Sequence, residues 1–431
     1  MKYALIDTMN TFFRAKHVAS YNANTWEKIG MALHLTLGSV NQAVRNYGVD
    51  HVVFCLEGHS WRKDFYKPYK ANRKVKEQSM TEAEVEESQM FWETYETLIE
   101  FLSEKTNVTV LRDPNAEADD CIARFIALHP DDEHIILSTD TDYYQLLSES
   151  VHMYNGVAKN LITIDGFFDD KGRPVIDKKT QEHKTLEDPQ YLLFEKCMRG
   201  DTSDNVFSAY PGVRKKGTKN KTGLLEAYAD KDKGGFNWNN IMLQRWTDHN
   251  DVEHRVRDDY ERNRTLIDLT AQPIEFRNAT DDIVKAGVNE KKEVAQVGVH
   301  FMRFCGKYEL NRISDQADSY AKGLNERYVA ESNRAIAVLK AFGENTIDLE
   351  IKNAQGRLAA LKEGEEEYEA TLTELAVLRA TKAKQLMDER AAQEEEQRKK
   401  DLEAVEARQQ KELEIKSKGV EIENATLGKL K

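Results

Sequence analysis

The chain has 431 residues, and its 62 basic and 75 acidic side chains leave a formal net charge of −13, a balance that on bulk charge alone points away from nucleic acid. A hydrophobic content of 40% with 16 Phe, 17 Tyr and 5 Trp supplies at least one sizeable core and excludes wholesale disorder, and the length allows roughly two to four domains. Cys55, Cys121, Cys197 and Cys305 lie far apart without CxxC spacing, which excludes a zinc or dithiol motif and favours a reducing, intracellular setting. No run approaches the roughly 18 apolar residues of a membrane span. Asp7 breaks the N-terminal apolar run too early for a signal peptide. A soluble, cytoplasmic protein with no membrane partner is expected.

In chain order, residues 3–6 form a short apolar run that ends at Asp7, and residues 51–56 form another that ends at Glu57. Residues 61–76 follow, with seven cations, one acid and four aromatics. Cations interleaved with rings suit phosphates and stacked bases of a nucleic-acid strand; a solvated basic loop is the alternative. A strand at 108–111 leads through Asp113 and Pro114 into the opening of a helix that carries Glu117, Asp119 and Asp120. Acids in a first helical turn also complement the helix dipole. A further apolar run at 134–139 ends at Asp140, with Asp142 just beyond.

Asp201 and Asp204 stand three residues apart in a segment that alone reads as a turn or cap. A second basic cluster, Arg214, Lys215, Lys216, Lys219 and Lys221, follows a Pro-Gly turn and precedes a helical segment at 222–228. Such a turn into a helix presents free backbone N–H groups to a phosphate and could hold duplex backbone.

Strands alternating with helices predict an α/β domain with a largely parallel sheet. In such sheets the binding crevice lies outside the carboxyl ends of the strands. Asp7, Glu57, Glu117, Asp119, Asp120, Asp140, Asp142, Asp201 and Asp204 are nine carboxylates at element ends, expected to converge there. Crowded acids raise one another's pKa, and divalent cations relieve that repulsion. With no His or Cys interleaved, the oxygen set favours Mg²⁺ or Mn²⁺ over Zn²⁺, with structural Ca²⁺ as the alternative.

Composition changes after the last third begins. Residues 323–431 hold 19 basic and 23 acidic residues and only three aromatics. Alternating +3 and +4 steps from Ile347 reach Ile351, Ala354, Leu358, Leu361, Glu365, Tyr368, Leu372, Leu375, Arg379, Lys382 and Leu386, an apolar stripe at nine of twelve positions. The stripe predicts a long helix seeking a coiled-coil partner; a single charged helix is the alternative.

Five segments in order, LIDTMNTFFRA (5–15), YKANR (69–73), AEADD (116–120), STDTDYYQLL (138–147) and MRGDTSDNV (198–206), resemble the 5′ nuclease superfamily of flap endonucleases and 5′-to-3′ exonucleases, in particular the phage branch with ribonuclease H type primer-removing enzymes. The resemblance covers roughly residues 1–320. It implies a PIN-like nuclease core at 1–200 with a helical arch around 58–90, helix-hairpin-helix-like and closing helices at 201–322, and, outside the resemblance, the charged helical tail at 323–431. By the same resemblance Asp7, Glu117, Asp119, Asp120, Asp140, Asp142, Asp201 and Asp204 are metal-site acids, and Lys70 and Arg73 contact the scissile phosphate at the base of the arch. It also implies a monovalent cation, K⁺, near the turn after Asp204.

Two positions depart from the family pattern: Glu57 stands where aspartate is usual, and the compact Gly-x-Lys-Thr turn is stretched across 214–221. The expected activity is two-metal hydrolysis of phosphodiesters at 5′ ends of DNA and RNA–DNA hybrids, with ions roughly 3.5–4 Å apart, and RNA primer removal in phage DNA replication. Asp7 and Asp140 head the catalytic set with Lys70 and Arg73. Arg62, Lys63, Lys67, Lys70, Arg73 and Lys74 would meet the single strand, and Arg214, Lys215, Lys216, Lys219 and Lys221 the duplex. DNA with 5′ flaps, nicks or RNA primers is the expected partner, and the tail would dock a replication protein or a second copy. A PIN-type ribonuclease and a nuclease-derived DNA-binding scaffold acting through the tail are the alternatives.

Overall fold

The predicted alternation of strands and helices is realised from the first residues. A computed structural model describes residues 1–18, 23–289 and 291–330, with helical residues 351, 354, 355, 358, 371–373 and 375–377 beyond them. Met1–Tyr328 form one unit and Val329–Lys431 a second. The first half of unit one runs β1 (Lys2–Asp7), α1 (Thr8–Val18), α2 (Thr25–Tyr47), β2 (His51–Leu56), α3 (Arg62–Phe65), α4 (Ala71–Gln78), α5 (Glu82–Lys105), β3 (Thr109–Arg112), α6 (Ala118–Leu128) and β4 (Glu133–Leu137). A 3₁₀ turn at Thr141–Leu146 leads into β5 (Val151–Asn155), β6 (Asn160–Thr163) and β7 (Gly166–Asp169).

The sheet order is β3-β2-β1-β4-β5-β6-β7. The first five strands pair in parallel, whereas β6 and β7 fold back antiparallel. The chain builds outward from β1 to β3 and then returns to add β4 on the other side of β1. That reversal is the switch point at which an open α/β sheet forms its crevice.

Period-two alternation sends the two faces of each central strand into different layers. Ala4, Ile6, Val52, Phe54, Leu56, Ile135 and Leu137 join Leu33 and Leu37 of α2 and Leu98 and Leu102 of α5 in one core. On the opposite face Tyr3 meets Phe125 of α6 with ring centroids 5.0 Å apart. Both faces are covered, so these strands read as continuous apolar runs. Local signals fix the ends: Asn24 and Glu27 form a reciprocal capping box at the start of α2, and Gly48 at φ 63° ends it. Thr81 and Glu84 cap α5 in the same way. Apart from Lys76, whose side chain is not described, α4 is exposed throughout.

The later elements of unit one are helices joined by turns and loops, with one short hairpin: α7 (Pro189–Arg199), α8 (Leu224–Asp230), α9 (Phe236–Met242), β8 (Arg245–Thr247), β9 (Glu253–Arg255), α10 (Val256–Ile267), α11 (Ile274–Gly287), α12 (Val297–Lys307), α13 (Asn311–Ser314) and α14 (Ala317–Asn325). Phe194, Met198, Leu224, Met242, Tyr260 and Ile267 belong to a second core, together with Tyr69. The expected division at residue 200 therefore falls between α7 and the helices it packs with. Phe301 and Phe304 of α12 instead join the first core.

Two expectations need adjustment. The strand predicted at 134–139 ends at Leu137, because Thr139 turns its backbone N–H to Asn10 Oδ1 at 3.0 Å. The unit boundary falls after Tyr328, not at 323. In the second unit, Ile351, Ala354, Leu358, Leu372 and Leu375 of the apolar stripe are helical, with Ala354 and Leu375 buried and Leu372 43% exposed. Ile347, Leu361, Glu365, Tyr368, Arg379, Lys382 and Leu386 lie outside the described residues. All four cysteines are buried free thiols. Among the described residues no helix is long and apolar enough to cross a membrane.

Candidate active site

The crevice at the switch point is a cavity of about 350 Å³ lined by Asp7, Glu57, Glu117, Asp119, Asp140, Asp142 and Asp204, with Lys70 and Arg73 on the same wall. Parallel register brings the strand ends level: Asp7 pairs with Cys55, and Ile6 with Leu137. Gly58 then turns the chain so closely over residues 113–116 that a Cβ there would strike the carbonyls of Asp113 and Ala116. The Gly58 N–H donates to the Ala116 carbonyl at 2.9 Å. That contact holds Glu57 beside the start of α6, where Glu117 stands.

Asp7 is fixed from three directions. The Asn10 backbone N–H donates to Oδ1 at 3.2 Å, and Ser138 Oγ and Tyr143 OH donate to Oδ2 at 3.0 and 3.1 Å. Asp140 caps the 3₁₀ turn by accepting from the Asp142 N–H at 3.0 Å.

The base of α4 closes onto the turn after α7. Lys70 adopts φ 54°, a left-handed conformation that disfavours a branched or bulky residue, and its N–H donates to the Asp204 carbonyl at 2.8 Å. Its ammonium sits 2.5 Å from Glu117 Oε1 and 3.6 Å from Asp204 Oδ2. Tyr69 OH lies 2.7 Å from Glu117 Oε2 and 3.0 Å from Asp204 Oδ2. Arg73 reaches Asp204 Oδ1 at 2.9 Å. Asn205 Nδ2 donates to the Pro68 carbonyl at 2.7 Å. Gly200, at φ 76°, lets the turn close where a Cβ would strike the Val206 carbonyl.

Two of the nine acids do not line the crevice. Asp120 is fully buried and accepts from Arg62 NH1 and NH2 at 2.7 and 2.8 Å, from Trp61 Nε1 at 3.2 Å and from Gln272 Nε2 at 2.5 Å. It also accepts from the Glu117 N–H at 3.1 Å. At this position the carboxylate fills the first-turn capping role. Asp201 accepts from Ser203 and pairs with Lys196 at 2.7 Å; Lys196 also pairs with Asp142.

The basic segments differ from expectation as well. Arg62 is 1% exposed and its Nε donates to the Leu266 carbonyl, so its charge serves the interior and meets no phosphate. Lys63, Lys67 and Lys74 are exposed. In the second cluster Arg214, Lys216, Lys219 and Lys221 are exposed, and Lys215 pairs with Glu187 at 2.6 Å. The expected free N–H groups are taken. Glu226 accepts from Gly217 and Gly223, and the Arg214 and Lys215 carbonyls accept from Leu224 and Leu225. The N–H groups of Gly217, Gly223, Leu224 and Leu225 are thus already engaged within the turn.

Burial sets the electrostatics. It drives the Asp7 carboxyl up to about 6, against the hydrogen bonds from Asn10, Ser138 and Tyr143. Burial, then Glu117, raises Glu57; burial likewise raises Asp119, and raises Asp142 in spite of Lys196. In Glu117 burial is outweighed by Lys70 and Arg62, and its carboxyl is held below the usual range.

This all-oxygen donor set, desolvated and mutually repelling, fits a hard divalent cation. Among the described residues no three of His, Cys, Asp or Glu form a ready-made cage. Lys70 and Lys196 sit between carboxylates. Lys196, Tyr143, Ser138 and Asn10 were not singled out from sequence. Lys196 carried one signal, a cation between the apolar residues Phe194 and Cys197 of α7, four residues before Gly200 begins the turn.

An open α/β sheet with opposed carboxylates and fixed cations at its switch point defines the structural class. Residues 2–172 match the family model described as 5'-3' exonuclease, N-terminal resolvase-like domain. It is 27% identical over 223 residues to a 5'-3' exonuclease of Mycoplasmopsis pulmonis, a match covering 51% of this chain and 65% of that protein. It is 28% identical over 242 residues to flap endonuclease Xni of Shewanella loihica, covering 54% and 82%. Among solved structures, the T5 D15 protein co-crystallized with metal ions aligns at 18% identity with a TM-score of 0.47, covering 66% of this chain and 98% of that one.

Two outcomes test this geometry. Asp120→Ala strands the buried Arg62 charge and is expected to cost about 3–5 kcal/mol of stability in urea unfolding; a loss under about 1 kcal/mol would contradict the pairing. In the metal-free protein, raised Asp7 supports the fold while protonated, a contribution complete below pH 3.8 and lost as pH rises through about 6. Asp7→Asn should therefore gain about 2–3 kcal/mol on the wild type between pH 4 and 7, and a pH-independent difference would refute the raised value.

Proposed function

We propose that the chain is a divalent-metal-dependent 5′-to-3′ exonuclease or flap endonuclease that hydrolyses phosphodiesters at 5′ ends of DNA and RNA–DNA hybrids, and that it removes RNA primers in phage DNA replication. The observation that carries this reading is the convergence of seven carboxylates with Lys70 and Arg73 on one crevice at the switch point of the sheet. Asp7, Glu117, Asp119, Asp140, Asp142 and Asp204 would hold two ions of Mg²⁺ or Mn²⁺, with Glu57 contributing directly or through water. The bound ions would supply activation of the attacking water and stabilisation of the leaving 3′ oxygen.

The protein's own residues would do the rest. Lys70 and Arg73, now paired with Glu117 and Asp204, would turn to the scissile phosphate once cations satisfy those carboxylates, and would offset its developing charge. Lys63, Lys67 and Lys74 would meet the single strand. Arg214, Lys216, Lys219 and Lys221 would hold duplex backbone, with Lys215 free to join by exchanging Glu187 for a phosphate. Asp120 and Arg62 leave the ligand and DNA-contact sets for a positioning role, and Asp201 acts through Lys196. The K⁺ expected near the turn after Asp204, and a replication protein or second copy docked on the tail, rest on the sequence alone.

The test is a product ladder from an end-labelled 5′-flap DNA and a nicked RNA–DNA hybrid, with Mg²⁺ and with chelator. The wild type should cut from the 5′ end only with the metal, and Asp140→Asn should lose at least about 10³-fold in rate while retaining DNA binding. Binding without cutting by the wild type would favour a scaffold, and cutting confined to single-stranded RNA would favour a PIN-type ribonuclease.

A further inference from the structure

A second cavity, of about 440 Å³, adjoins the crevice and has no part in the reading above. Asp142 borders both cavities, and its partner Lys196 lines the second. The walls are Tyr144 from the 3₁₀ turn and Phe167 from β7, with ring centroids 6.5 Å apart and nearly perpendicular, and Leu192 and Leu193 from α7. Lys184 Nζ stands 4.0 Å over the Phe167 ring. At the far rim lies Glu187, paired with Lys215 of the second basic cluster.

The cavity therefore has rings and aliphatic side chains inside and two ammonium groups, Lys184 and Lys196, in its lining, with a third, Lys215, paired to its Glu187. Both rim carboxylates, Asp142 and Glu187, are already paired with two of them. A flat aromatic body joined to an anion matches that layout. Continuity selects the occupant: the cavity is bordered both by Asp142 of the crevice and by Glu187, the partner of Lys215 in the 214–221 cluster, so it lies between the proposed cut and the proposed grip.

We propose that the cavity holds one base of the substrate strand next to the scissile phosphodiester, with Tyr144 as its stacking partner and Lys184 beside the adjoining phosphate. The inference rests on the nuclease reading and assigns that site a base-binding pocket. Base–aromatic stacking tolerates any base, so the pocket would sense whether a base is present more than which base it is.

A 5′-flap DNA with a single abasic residue walked through the nucleotides flanking the cut tests this, alongside 2-aminopurine placed at the same positions and read as fluorescence in the complex formed with chelator. One position should slow wild-type cleavage roughly tenfold when abasic. Tyr144→Ala should slow the intact substrate to a similar degree and show no further loss on the abasic one, and Tyr144→Phe should restore the sensitivity. The 2-aminopurine signal at that position should be quenched by the wild type and not by Tyr144→Ala. Lys184→Ala, at an exposed side chain, should weaken the same coupling without the risk of misfolding.

Cleavage indifferent to every abasic position, or losses from Tyr144→Ala and the abasic site that simply multiply, would overturn the proposal. So would quenching seen only with free 2-aminopurine nucleoside monophosphate, which would make the cavity a product site. If the protein binds the strand but does not cut it, the quench still decides the pocket, and only the nuclease reading fails.

Discussion

Mutual repulsion among carboxylates at the carboxyl ends of parallel strands is the constraint on which the rest of the molecule depends. Two unit charges 4 Å apart interact with about 4 kcal/mol at an effective dielectric of 20, and seven acids line this one crevice. Three internal cations hold the arrangement: Arg62 on Asp120, Lys70 between Glu117 and Asp204, and Lys196 between Asp142 and Asp201. Each cation comes from a different element than the acids it neutralises. The counterions therefore also tie the strand ends to the base of α4 and to the turn after α7.

The same pairs shape the functional reading. Tyr69 sits in the second core while its hydroxyl reaches Glu117 at the edge of the first. A ligand that engaged Glu117 or Asp204 would thus act on Lys70, Arg73 and the start of α4 together. Arg62, fully buried, touches that exchange only at Glu117 Oε2, 3.4 Å from its NH1, and keeps its closer pair with Asp120. The net charge of −13 is no guide to partners at this length scale, because the exposed cations near the crevice are concentrated in 63–74 and 214–221 while the acids are gathered within it.

Much of the site was legible because its residues mark element boundaries. Asp7, Glu57 and Asp140 ended apolar runs, and a parallel sheet brings such ends level wherever the strands are neighbours. Asp120 and Arg62 were misplaced for one reason: sequence shows charge but not burial, and a pair 58 residues apart gives no sign that it will face inward. The spent N–H groups ahead of α8 were equally hidden, since the acceptor Glu226 looks like an ordinary first-turn acid. Lys196, Ser138 and Tyr143 escaped notice because their roles arise only from tertiary approach to Asp142 and Asp7. The antiparallel pair β6 and β7, which supplies Phe167 to the second cavity, carries too short a pattern to stand out.

The central claim is that this crevice holds its acids under internal counterions until divalent cations replace them. Calorimetric titration of the full chain with Mn²⁺ near pH 6, repeated in buffers of different ionisation enthalpy, tests it most directly. Asp7 is raised to about 6 and Asp142 is raised with it, so the account predicts saturable binding accompanied by proton release that diminishes toward pH 8. No saturable binding, or binding that releases no protons at pH 6, would contradict it.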